Sequence, residues 1–152
     1  MTDKLFNSIL ENALRLLILL DENIMPQTLD RIYVMDFIAT YSHSFGIGEY
    51  DLNGENPFKF SEFASKRELI AESLKELVLR GLAVPVNLNT GLTYVISADG
   101  EELCETLISE YATEYRIAVG KVIAAISDKD ERELIHMVNT ISSQSLEVKM
   151  HE

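Results

Sequence analysis

Apolar positions fall at helical spacing along most of the chain, and change to a short-period pattern once. Between residues 4 and 20, Phe6, Ile9, Leu10, Ala13, Leu16, Leu17 and Leu20 recur at intervals of three and four, which predicts a helix. Leu14, Ile18 and Leu19 widen that stripe almost all the way round. A helix apolar on every side is either central to a core or covered by a second chain. Asp21 to Gln27 reads as a turn closed by Pro26. Thr28 is placed to cap a helix over 29–42, where Ile32, Tyr33, Val34, Met35, Phe37 and Ile38 are core candidates. Asp36 interrupts them. An unpaired carboxylate is costly to bury, so Asp36 is expected on an exposed face, in a pair with an Arg, or against another subunit.

Residues 43–60 hold three glycines, two asparagines and a proline, and predict a long loop. Phe45, Tyr50, Phe58 and Phe60 suggest that it packs down onto the protein. Gly46-x-Gly48 is no phosphate loop, because it follows no strand and lacks the Lys-Ser/Thr pair.

The pattern changes within residues 61–97. Ile70, Leu74, Leu77 and Val78 form one helical stripe, and Ser65 with Glu68 three residues on has the form of a capping box. Gly81 ends that helix, where glycine enters the left-handed region without a Cβ penalty. Leu82–Leu88 and Leu92–Ile96 then read as two strands joined by a three-residue turn, Asn89-Thr90-Gly91. Ser97-Ala98-Asp99-Gly100 opens another helix. Helix, Arg-Gly-Leu, hairpin, then Tyr-Val-Ile-Ser-x-x-Gly is the order of a winged helix. The fold class is therefore read as mainly α, a winged-helix domain with a β-hairpin wing and long C-terminal helices.

Beyond the wing, one long helix is expected over 98–126, with Cys104, Ile108, Tyr111, Tyr115, Ala118 and Val122 as a seam and Gly120 as a weak point. A last helix is expected over 129–142 with Asp128 as its cap. Residues 1–142 are read as one domain and 143–152 as a loose tail.

Composition changes the picture in one respect. The 152 residues carry 13 Lys and Arg against 25 Asp and Glu, a net charge of −12. Duplex DNA is held largely through cations on phosphates, so unaided DNA binding is disfavoured. The acidity is uneven: 21–60 and 98–120 each carry a net −5, while 61–97 are neutral. The acidic stretches are either a solvated face or a surface that steers a basic partner. Cys104 stands alone, which excludes an internal disulfide and a cysteine-cluster zinc site, and reads as a small buried hydrophobe. MTDKLFNS lacks the pattern of a secretion signal, and no apolar run is long enough to span a bilayer, so a soluble cytoplasmic protein is expected. His43, His136 and His151 lack metal-ligand spacing, and no nucleophile elbow, Walker loop or dinucleotide fingerprint is present. The chain reads as a binding or assembly module, not an enzyme, with no cofactor.

LDRIYVMDFIATYSHSFG at 29–46 and PFKFSEFASKRELIAESLKELVLRGL at 57–82 carry a family resemblance. The pattern is a Leu-Asp-Arg start, an acid inside the second helix, Pro-aromatic-basic, a Glu a few residues on, and a basic Arg-Glu-Leu-Ile segment. Here it falls on Leu29, Asp30, Arg31, Asp36, Pro57, Phe58, Lys59, Glu62, Lys66, Arg67, Glu68, Leu69 and Ile70. The chain thereby resembles the middle component of ABC-three-component defence systems, in the class related to the small winged-helix subunit of Lamassu. It departs in having Glu-Asn-Pro where relatives have His-Pro earlier in the loop, and Phe60-Ser61 where a Gly follows the basic residue.

The resemblance implies a non-catalytic adaptor that joins an SMC-like ABC ATPase to an effector, commonly a nuclease, in an antiphage or antiplasmid complex. DNA is then reached only through the complex, without a membrane, and a homo-oligomer is left open. The candidate partner-binding residues are Asp36, Lys59, Lys66 and Arg67. For Arg67 an internal salt bridge with Asp36 or Glu62 is the competing reading. The alternative function is a dimeric winged-helix transcription regulator that binds DNA.

Overall fold

A computed structural model of the chain describes residues 9–54 and 59–140. Helix α1 (Glu11–Glu22) is followed by a two-residue strand β1 (Gln27–Thr28), α2 (Leu29–Thr40), α3 (Lys59–Leu79), the hairpin β2 (Ala83–Leu88) and β3 (Gly91–Ile96), α4 (Ala98–Glu105) and α5 (Glu110–Ile126). A further helix, α6, covers 131–140. The strands form one antiparallel sheet in the order β1-β3-β2. A mainly helical chain with a small three-stranded sheet of this order is compatible with the expected winged-helix-like fold.

The question left by α1 is answered by burial. Leu16, Leu17, Ile18, Leu19 and Leu20 are all 3% exposed or less, and α1 packs on α2, α3, α4, α5 and β3. It is the centre of the core. Each such side chain contributes about 1.5–3 kcal/mol relative to exposure. Ile32, Val34, Met35 and Ile38 of α2, Ile70, Leu74 and Leu77 of α3, and Tyr115, Val119 and Val122 of α5 complete the cluster. Phe37 gathers a ring cluster with Tyr41, Phe45, Phe60 and Phe63, while Tyr33 stacks on Phe63 at 4.4 Å.

Local signals were kept where a cap or turn enforced them. Thr28 accepts from the Arg31 amide, and Ser97 from the Gly100 amide. Gly81, at φ +71°, ends α3 as expected, with Leu82 N bonded to Leu77 O and Gly81 N to Val78 O. Gly100 serves a different need. A Cβ there would lie 2.2 Å from the Leu82 carbonyl oxygen, so its bareness lets α4 sit against the start of the wing.

Other expectations were overturned. The third helix begins at Lys59, so Ser65 lies inside it and bonds back to Glu62 O instead of capping. An in-helix Ser-x-x-Glu has the same spacing as a capping box. Phe60 thus belongs to α3 and not to the loop, and Tyr50 stands 52% exposed, while Phe45 does pack on the core. Leu88 pairs with Gly91, leaving a two-residue turn, Asn89-Thr90, with positive φ taken by Gly91. The helix over 98–126 is broken at 106–109. Ser109 accepts from the Ala112 amide and starts α5 afresh, so Ile108 of the expected seam is 82% exposed. The last helix is capped by Asp130, which accepts from Glu133 N, and not by Asp128. The 21–27 segment is less of a turn than expected, since α1 runs to Glu22 and Gln27 joins the sheet. Phe58, Pro57 and the 143–152 tail lie outside the described residues.

Candidate functional site

Arg15 and Asp36 are charges set among the apolar residues of α1 and α2, and the fold brings them together. Arg15 Nε and Nη2 each donate to one Asp36 carboxylate oxygen at 3.0 Å. Tyr115 Oη of α5 donates to the same carboxylate at 2.7 Å, and Arg15 also donates to Asn12 Oδ1. Asp36 is 5% exposed, so the pair is desolvated, and its two-pronged geometry fixes how the two side chains meet. Burial works against the Arg15 cation, yet Asp36 carries its pKa above the ordinary value by charge and hydrogen bonding. Burial, then the charge of Asp36, pushes the Tyr115 phenol well above its usual range. The network ties α1, α2 and α5 at one point.

Above this network lies an open groove of about 810 Å³. α1, α3 and the start of α5 wall it, together with Tyr41 just past α2 and Asn53 of the loop. Its apolar lining is Leu14, Ile18, Leu69, Leu107 and Ala112. Tyr111 lies along the α5 wall, stacks on Tyr115 at 6.4 Å, and donates to Asn53 Oδ1 at 3.1 Å. The loop is fixed from within by Ser44, whose amide and hydroxyl both donate to Asp51. Glu11 lines the groove at the α1 end. Elsewhere on α5, Glu114 accepts from Tyr50 Oη and raises that phenol's pKa, with the charges of Glu110 and Glu49 adding to the rise.

The expected site residues are distributed about this groove unevenly. Lys66 lines it and reaches Glu62 at 3.6 Å. Arg67, one residue on, points to the adjoining face and pairs with Asp30 at 2.9 Å, not with Asp36 or Glu62. Both members of that pair are more than a third exposed, so water screens it. Tyr33 lies beneath it; burial, together with Asp30 and against Arg67, pushes the phenol up to about 12. Lys66 and Arg67 sit about two turns inside α3, not at its start, because the helix begins at Lys59. Lys59 is that first residue, and its side chain is outside the described residues. Asp36 is buried and pairs with Arg15, apart from Arg67.

The sequence pattern did not single out Arg15, Asn12, Tyr111 or Tyr115 as site residues. A signal existed for two of them: an Arg inside one apolar helix and an Asp inside the next are each expensive alone and inexpensive together. Nothing in spacing announces Tyr111, whose position depends on the break before α5.

Away from the groove, Arg116 donates to Asp21, Glu22 and the Cys104 sulfur, tying α5 to the end of α1 and to α4. Burial raises the Cys104 thiol against the pull of Arg116, so the sulfur is a packed thiol. Arg31 donates to Lys129 O, and Thr28 to Glu131, which seats the start of α6 on β1 and α2.

Residues 5–148 match the family model described as the ABC-three component (ABC-3C) system Middle Component 2. No curated protein and no solved structure matches the chain. The match spans the groove, the buried ion pair and the basic turn of α3, and the chain belongs to the Middle Component 2 family of ABC-three component systems.

Proposed function

We propose that this protein is a non-catalytic adaptor of its ABC-three component system. In this reading it joins an SMC-like ABC ATPase to an effector subunit, a nuclease in the Lamassu-like case, within an antiphage or antiplasmid complex in the cytoplasm. The observation that carries the reading is the family match over nearly the whole chain, since a middle component has partner subunits. The charge distribution supports it. Residues 82–97, the hairpin that a DNA-binding winged helix lays on phosphates, contain no Lys or Arg. Any approach to DNA then goes through the complex.

Within this reading Lys66 and Arg67 carry the partner contact, and Lys59 extends it at the start of α3. Arg67 is suited to exchange partners, because its pair with Asp30 is half in water and is worth about 0.2–1 kcal/mol. Asp36 acts indirectly, by holding Arg15 and Tyr115 in place. Arg67→Glu tests the assignment. The variant is expected to melt within about 1 kcal/mol of the wild type and to lose the other subunits in a pull-down. A folded R67E protein that recovers them at wild-type yield contradicts the assignment of Arg67.

A further inference from the structure

We draw no further inference here: the strongest candidate, the uncharged aliphatic face of the β2–β3 hairpin on which Val84, Val86, Leu88 and Val95 stand partly exposed, carries nothing because nothing in the structure shows what covers it.

Discussion

At the scale of single residues, the account turns on Asp36. Its carboxylate accepts from Arg15 and Tyr115 inside the protein, so removing it leaves a buried guanidinium without its counter-charge. Asp36→Ala is expected to cost about 3–5 kcal/mol. In a chain of this size the melting temperature should fall on the order of 10 °C. Tyr115→Phe keeps the ion pair and removes one bond to a charged group, so it should cost less, about 1.5–3 kcal/mol. Equal losses in the two variants would mean that the tyrosine, not the ion pair, holds the site. Alkaline pH reads out a neighbouring group. Tyr33 has its phenol raised from 10.0 to about 12, so the folded state favours the neutral form. The stability that this contributes is full below pH about 10 and is lost as pH rises through about 12. Tyr33→Phe is expected to flatten the fall of stability between those two values in denaturant titrations. An unchanged slope would contradict the assignment.

At the scale of elements, caps and turns decide what can be read from sequence. Thr28, Ser97 and Gly81 act locally, through their own hydrogen bonds or their own φ, and each does in the fold what the pattern predicts. The start of α3 and the break before α5 were not legible, because they depend on partners distant in sequence. α3 begins at Lys59, where Phe60 joins the ring cluster on Phe37 of α2. α5 restarts at Ser109, and Tyr115 thereby meets Asp36, 79 residues earlier. The 21–27 segment shows the same limit: a two-residue strand has no period, and β1 exists only because Tyr94 and Thr93 are there to pair with. The candidate site was legible in part. Lys66 and Arg67 stand on the surface, whereas the groove needs three helices in place. One element-scale prediction concerns Gly100. Gly100→Ala puts a Cβ against the Leu82 carbonyl and Ile96, and should destabilise by about 1–3 kcal/mol through displacement of α4 from the wing. The check is a urea titration. Gly120→Ala is the control: a Cβ there meets nothing within 4 Å, so it should stabilise by about 0.5–1 kcal/mol.

At the scale of the whole molecule, the charge of −12 and the family match describe a protein read as acting through other subunits. Its neutral segment, 61–97, carries the basic turn of α3 and the hairpin, between the acidic stretches 21–60 and 98–120. A basic partner drawn to those acidic stretches would bind in a salt-sensitive way. The most direct measurement is purification of the chain from cells that co-express its neighbouring genes, with the subunits identified by mass spectrometry and the assembly sized in solution. Recovery of an SMC-like ATPase together with an effector subunit, in a complex that weakens as salt is raised, is the predicted result. A lone dimer of this chain that shifts a DNA fragment would contradict the adaptor reading and establish a regulator in its place.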